Sequence, residues 1–209
     1  MDSINPKQKF SEAVKYFLSY FKNPLVAIKN IPNWDWLTVL VIQLCLSLLI
    51  GIISDFFSQD SLIIFRGIFI FPLSSFLTTF LGAGFFYFLF LIFFNTETNF
   101  LKLYTIVFLS HVPFLILRIV KFWIAPIELI GFAATTALLT VGFVENFQLP
   151  KKKMIRIFGA LYAIYFFMWV FQQIYQSKNT LEFKNKVNEG TEIEKTESID
   201  DIQKQLNEF

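Results

Sequence analysis

The stretch from Leu62 to Phe94 constrains the fold most, because it is almost wholly apolar and aromatic and carries a single charge, Arg66. As one straight helix it would be about 50 Å long at ~1.5 Å per residue. A hydrocarbon core is about 30 Å thick and is crossed by roughly 20 residues. The run is therefore too long for one span and too short for two spans with a polar loop. We expect a break at Pro72, with a membrane-seated segment over 62–71 followed by a span over about 73–94.

The composition of the whole chain is typical of a membrane protein. Of its 209 residues, 55% are hydrophobic and 19% aromatic, and the mean hydropathy is +0.56. The net charge of +2 is too small to indicate nucleic-acid binding. Cys45 is the only cysteine, so the count allows no disulfide within the chain. No cleavable signal pattern precedes the first long apolar run, which we expect to act as an uncleaved anchor.

Several apolar runs of span length predict an all-α membrane protein, a bundle of five transmembrane helices with an amphipathic amino-terminal helix and a polar carboxy-terminal tail. The expected spans cover about residues 36–54, 73–94, 100–122, 126–147 and 155–175. Residues 1–33 form the amphipathic or interfacial amino-terminal segment, residues 34–175 the transmembrane domain, and residues 176–209 a polar, mostly flexible tail. If residues 62–71 also crossed the membrane, the tail would move to the other side.

The segment before the first span is expected to form two short helices. Residues 6–22 have the spacing of an amphipathic helix, with apolar side chains on one face and lysines on the others. Such a helix could lie in the membrane interface with its lysines toward lipid phosphates, or pack on the protein's own cytoplasmic face. Asn23 can cap the next helix, where Pro24 suits the first helical position. Asn33 is expected to cap the first span.

Small residues indicate where the spans pack against each other. The fourth span is rich in them, including Gly131, Thr135 and Gly142, so we expect it to be the central helix of the bundle. Gly82 and Gly84 predict a further close approach along the second span.

Two residues inside the spans predict local features of the helices. Gln43 is the one strongly polar interior residue of the first span, and a hydrogen bond to another helix is a better interpretation than substrate binding. Pro113 is expected to kink the third span, because it removes a backbone hydrogen bond.

The lysines set the expected orientation. Five lysines precede the first span, and Lys151–Lys153 with Arg156 follow the fourth. An even number of spans separates the two groups, so both can be cytoplasmic. The amino terminus is then cytoplasmic and five spans place the tail outside. Arg118 and Lys121 fall on the far side, against the rule, but they are fewer.

The second half of the chain resembles the Yip family, the Ypt/Rab-interacting membrane proteins and their bacterial relatives, from about Leu77 to Lys153. In that family a small-residue turn follows one span, the next helix has a central proline, and a later span ends near a glycine and a glutamate before a basic stretch. The corresponding features here are Asn95–Phe100, Val112–Pro113, Gly142–Glu145 and Lys151–Lys153. Asn95 and Thr96 stand where the family has glycines.

The resemblance implies a five-span α-helical fold with a cytoplasmic amino terminus and supplies no catalytic site. Eukaryotic members of the family associate with prenylated small GTPases and with one another in secretory membranes. Because this chain carries only a short segment before its first span, we expect a bacterial inner (plasma) membrane, with a secretory-pathway membrane as the alternative.

Few residues can carry chemistry, and we predict no catalytic, metal or cofactor site. His111 is the only histidine, which excludes a two-histidine metal site within one chain. Ser110 precedes it, but neighbours on a helix do not face each other, so a nucleophile–base pair is disfavoured.

Buried charges are the remaining candidates, since an ionisable group in lipid is costly and is retained for a reason. Glu145 lies near the basic loop, and it is either a proton or cation site or an interfacial salt bridge. Glu128 is expected to pair with Arg118 or Lys121. His111 beside the Pro113 kink either titrates near neutral pH or makes a helix–helix contact.

Two function classes follow from these features. The first is a non-enzymatic, multi-pass membrane protein that organises or assembles with other membrane proteins, including further copies of itself. The second is a small ion, lipid or solute transporter or channel that uses the buried polar residues, since broken helices often mark binding sites. The expected partners are the lipid bilayer and other membrane proteins, with no nucleic acid and no cofactor.

Overall fold

The computed structural model describes residues 6–56, 65–95, 98–120 and 127–175, and all regular structure in these ranges is helical. The helices are α1 (Pro6–Lys22), α2 (Pro24–Ala27), α3 (Trp36–Phe56), α4 (Phe71–Phe94), α5 (Phe100–Leu117), α6 (Ile127–Phe147) and α7 (Lys151–Tyr175). A π-helical turn, Arg66–Ile70, runs directly into α4, and a 3-10 turn, Arg118–Val120, follows α5.

Five of these helical stretches are long and apolar enough to cross a membrane. They are Trp36–Ser54, Arg66–Phe94, Phe100–Leu117, Ile127–Phe147 and Lys151–Tyr175. The predicted fold class, an all-α bundle of five spans, is therefore confirmed.

The chain divides into two compact units, Met1–Tyr162 and Ala163–Phe209. The first holds α1 to α6 and the first half of α7. Of the second, the structure describes the last part of α7, whose apolar side chains such as Phe171 are exposed. The predicted polar tail over residues 176–209 lies outside the described residues, and so does the predicted end of the third span after Val120.

The second spanning helix does not break at Pro72. Instead the backbone N–H of Phe71 donates to the carbonyl of Arg66, five residues back, which widens the helix by one turn of π geometry. Pro72 then sits in the first turn of α4, where a missing N–H is tolerated. The described helix therefore begins before Leu73, and the part of the 62–71 segment from Arg66 onward belongs to it.

One end of the bundle is where α3 and α5 begin and α4 and α6 end. The rings of Trp36 and Phe100 are 6.0 Å apart there, and those of Phe90 and Phe147 are 5.8 Å apart. We call it the basic end, because Lys29, Lys102 and Lys151–Lys153 lie there.

The most enclosed helix is α5 rather than α6. Ten of its 18 residues are buried, against seven of the 21 residues of α6, and every side chain from Leu103 to Ser110 is buried. The expectation that α6 is central was wrong for a physical reason. Small residues shorten the distance to one neighbour, whereas a central position requires neighbours on every side, and α5 packs against α3, α4 and α6.

Side-chain caps fix where the helices start. The side chain of Asn23 accepts a hydrogen bond from the N–H of Val26, with Pro24 at the first position of α2, as expected. The cap of α3 is Asp35, which accepts from the N–H of Thr38 at 2.9 Å, so the assignment of this cap to Asn33 was wrong. Asp35 is the residue immediately before the first helical residue, which is the position of a helix N-cap, whereas Asn33 lies two residues earlier.

Candidate functional site

A buried polar network joins three spans around Gln43. Its side-chain amide donates to the carbonyl of Ser75 at 3.2 Å and to the hydroxyl of Thr79 at 3.1 Å, both on α4. Its oxygen accepts from the hydroxyl of Tyr104 on α5. The side chain of Gln43 therefore acts both as a donor and as an acceptor. Gln43 is 2% exposed and makes the helix–helix contact predicted for it.

A second polar contact lies beside Pro113, inside α5. Pro113 has no N–H, so the carbonyl of Leu109, four residues earlier, loses its normal helical partner. The hydroxyl of Tyr20 on α1 donates to this carbonyl at 2.6 Å, and Tyr20 is 2% exposed. A proline inside a membrane span is tolerated when a neighbouring side chain satisfies the freed group. The contact therefore joins the amino-terminal segment to the interior of the bundle.

The amino-terminal segment makes further contacts at the same place. Phe17 stacks on Trp34 with ring centroids 6.0 Å apart and meets Phe108 of α5 at 6.5 Å. The hydroxyl of Tyr16 donates to the carbonyl of Ala27 at 3.0 Å, which ties α1 to α2. Burial raises the pKa of Tyr16, and burial with the neighbouring Tyr16 raises the pKa of Tyr20. Both hydroxyls therefore keep their protons at neutral pH and remain hydrogen-bond donors.

Charged and polar side chains meet at the basic end. Glu145 pairs with Lys29 at 3.9 Å, and each side chain is about half exposed, 49% and 47%. The cation is thus Lys29, before the first span, rather than one of Lys151–Lys153, which form the start of α7. An exposed pair of this kind contributes little to stability.

Further side chains at the basic end bind the last turn of α6. Lys102 donates to the carbonyl of Asn146 at 3.2 Å, and its ammonium lies 5.6 Å from the ring centroid of Phe147. The side-chain amide of Asn146 donates to the carbonyl of Ile28 at 2.8 Å and to that of Gly142 at 2.9 Å. A cation at a helix carboxyl end is stabilising, so this cluster holds α5, α6 and the amino-terminal segment together.

His111 lies one helical turn before Phe114, and its ring contacts that of Phe114 at 5.0 Å. Within the described residues its imidazole makes no hydrogen bond. The hydroxyl of the neighbouring Ser110 is buried and also has no partner there. No hydrogen bond joins the Ser110 hydroxyl to the His111 ring.

Glu128 lies in the first turn of α6, where an acidic residue favours the helix dipole. The side chain of Arg118 and the whole of Lys121 lie outside the part of the chain that the structure describes, so their pairing with Glu128 stays a prediction. Within the described ranges, no group of three His, Cys, Asp or Glu residues could hold a metal ion.

Two glycines of α6 lie at close approaches to α5. A Cβ on Gly131 would come within 3.0 Å of the Phe114 side chain, and one on Gly142 within 2.7 Å of Ile106. The hydroxyl of Thr135, which is buried, donates back to the carbonyl of Gly131 at 3.0 Å.

The close approach expected along α4 is not found at its glycines. A Cβ on Gly84 would meet nothing within 4 Å, and one on Gly82 would make only an ordinary contact with Val107, at 3.4 Å. The corresponding contact lies at Gly51 of α3, where a Cβ would overlap the backbone of Gly67 in the π-helical turn.

Sequence reasoning missed four residues of these clusters, namely Tyr20, Tyr104, Lys102 and Asn146. One signal was available for Tyr20. A proline in a span frees a carbonyl four residues back, and that carbonyl requires a donor from another element. The sequence offers seven tyrosines for this role and does not say which one is close.

Replacing Gln43 by leucine is expected to lower the free energy of unfolding by about 1 kcal/mol, because hydrogen bonds between spans contribute roughly that much. The matched control is Gln172→Leu, which makes the same chemical change at an exposed position of α7. Unfolding of the full chain in detergent, titrated with a denaturing detergent, measures both. Equal losses for the two variants would show that the Gln43 network does not stabilise the bundle.

The Yip1 domain model matches residues 18–172 of this chain. No curated protein and no solved structure matches it. The matched region begins within α1 and ends within α7, so it contains the Gln43 network, the Tyr20 contact and the cluster at the basic end. Since the match covers well over half of the chain and agrees with the resemblance seen in the sequence, the protein belongs to the Yip1 domain family.

Proposed function

We propose that this multi-pass membrane protein is non-enzymatic and organises or assembles with other membrane proteins. We further propose that it lies in a bacterial-type inner membrane, with its amino terminus on the cytoplasmic side. The observation that carries the proposal is the use of polar groups inside the bundle. Gln43 uses both its side-chain amide and its side-chain oxygen to join α3, α4 and α5. The carbonyl freed by Pro113 is likewise used, by Tyr20. Because these polar groups already bind other helices, they support a structural role in the bundle rather than a substrate site.

A surface for such assembly is present on α4. Only seven of the 24 residues of α4 are buried, and the exposed ones include large side chains at the three- and four-residue spacing of one helix face. They are Leu77, Leu81, Phe85, Phe88 and Ile92. In a bilayer this face meets either lipid or another helix, and association of helices there depends on packing.

A photo-crosslinking residue at Leu81 or Phe88 is expected to capture one dominant protein partner from membranes, because both side chains are 62% exposed on this face. The matched control is Phe90, which is fully buried and should capture none. Gel analysis and mass spectrometry of the adducts identify the partner, including a second copy of the chain. Adducts with lipid alone at both exposed positions would contradict the proposal.

A second candidate function, transport, is favoured by one specific observation. His111 and the hydroxyl of Ser110 lie inside α5 without a hydrogen-bond partner among the described residues. An ionisable side chain in this position is a candidate for a proton or ion pathway.

Flux of protons, ions or lipids through reconstituted vesicles tests the transport function. If the wild-type chain conducts and His111→Ala or Glu145→Gln abolishes the flux while Glu12→Gln on α1 does not, the organising function would have to be replaced. No flux in the wild-type chain would remove the second candidate.

A further inference from the structure

An apolar groove of about 310 Å³ runs between α1 and α3. Its walls carry almost no polar surface, and they include the following six side chains, three from each helix: Val14, Leu18, Phe21, Val41, Cys45 and Leu49. The α3 wall begins five residues after Trp36, where the helix starts, and continues for eight more. At ~1.5 Å per residue the groove therefore reaches from about 7 to 20 Å into the span, which is acyl-chain depth.

The helix that forms the outer wall has three distinct faces. Ala13 and Tyr20 are buried against the bundle. Leu18, at 60% exposure, belongs to an apolar edge that opens the groove to the lipid. Next to this edge stand two exposed lysines, Lys15 and Lys22.

The two lysines flank the apolar edge along the helix. Leu18 lies three residues after Lys15 and four residues before Lys22, so all three share one side of α1. Neither lysine makes an ion pair or a hydrogen bond with any residue that the structure describes. The one acid of α1, Glu12, is also exposed and has no partner among the described residues.

We propose that one anionic phospholipid of the bilayer occupies this groove, with an acyl chain between α1 and α3 and its phosphate beside Lys15 and Lys22. A phospholipid combines an aliphatic chain with a negative headgroup in one molecule, and these are the two properties that the groove and its rim require. Lysine stems can lie along apolar surface while their ammonium groups reach the phosphates. The bound lipid would attach α1 to the membrane, on the same helix whose Tyr20 attaches it to the rest of the bundle.

Native mass spectrometry of the purified full chain, mixed with equal amounts of phosphatidylglycerol and phosphatidylcholine, tests the proposal. We expect one retained phosphatidylglycerol per chain, and at least a tenfold lower retained fraction in Lys15→Gln/Lys22→Gln. The charge-matched control, Lys152→Gln/Lys153→Gln, removes two lysines from the start of α7 and should retain the lipid. Filling the groove with Cys45→Trp should also release the lipid, whereas Leu81→Trp on the exposed face of α4 should not.

A measurement on the unaltered chain keeps the test independent of folding defects. Cys45 is the only cysteine and lies in the groove wall, so a maleimide reports on the groove alone. Phosphatidylglycerol should slow its alkylation several-fold more than phosphatidylcholine does. Equal protection by the two lipids, equal lipid loss in the control variants, or cross-linking of Cys45 to Cys45 of a second copy would each overturn the proposal.

Discussion

Replacing Gly51 by alanine is expected to separate α3 from the start of the second spanning helix and to lower the free energy of unfolding by roughly 2–4 kcal/mol. The added Cβ would overlap the carbonyl of Gly67 and lie 3.1 Å from the ring of Phe71. A backbone carbonyl cannot rotate aside as a side chain can, so the two helices must move apart. Unfolding of the full chain in detergent, followed by helical circular dichroism, measures the loss.

The matched control for this prediction is Gly84→Ala on α4. A Cβ there meets nothing within 4 Å, and alanine is the better helix former, so the stability should be unchanged or slightly higher. An intermediate case is Gly142→Ala, whose Cβ would press on the side chains of Ile106 and Ile28, which can shift. A Gly51 variant as stable as the Gly84 variant would show that α3 and the π-helical turn are not in close contact.

The number and type of the spans could be predicted from the sequence because hydropathy acts over a whole segment. About twenty apolar residues in lipid have to form a helix, since every backbone group needs an internal partner. Local caps were partly predictable for a similar reason, because Asn23 and Pro24 act within one turn. The family was recognised from short motifs whose spacing does not depend on tertiary structure.

Contacts between distant segments could not be predicted in the same way. The approach of Gly51 to Gly67 depends on the register of α3 against the π-helical turn. The turn arises where Pro72 has no N–H to donate, and nothing in the sequence distinguishes it from a break in the helix. Gly82 and Gly84 do not lie at a close approach of two helices, because spacing along one helix does not say which of its faces is covered.

Replacing Tyr20 by phenylalanine is expected to lower the free energy of unfolding by about 1–3 kcal/mol, because the carbonyl of Leu109 is left buried without a donor. Phenylalanine keeps the ring and removes only the hydroxyl, so packing against the bundle is nearly unchanged. Unfolding in detergent measures the loss, and alkylation of Cys45 reports whether α1 leaves α3. Faster alkylation is expected, since the groove that contains Cys45 is closed on one side by α1.

A second substitution, at Pro113, tests the cause of this loss. The proline leaves the carbonyl of Leu109 without a helical donor, and the hydroxyl of Tyr20 replaces that donor. In a Pro113→Ala chain the new N–H at position 113 can donate to Leu109, as in a regular α-helix. Tyr20→Phe should then cost little, so the two substitutions should be coupled by about 1–2 kcal/mol in a double-mutant cycle. The same cost in both backgrounds would mean that Tyr20 stabilises the fold by some other contact. Coupling would show that the proline of α5 and the docking of α1 depend on each other, since the carbonyl that Pro113 frees is the one to which Tyr20 donates.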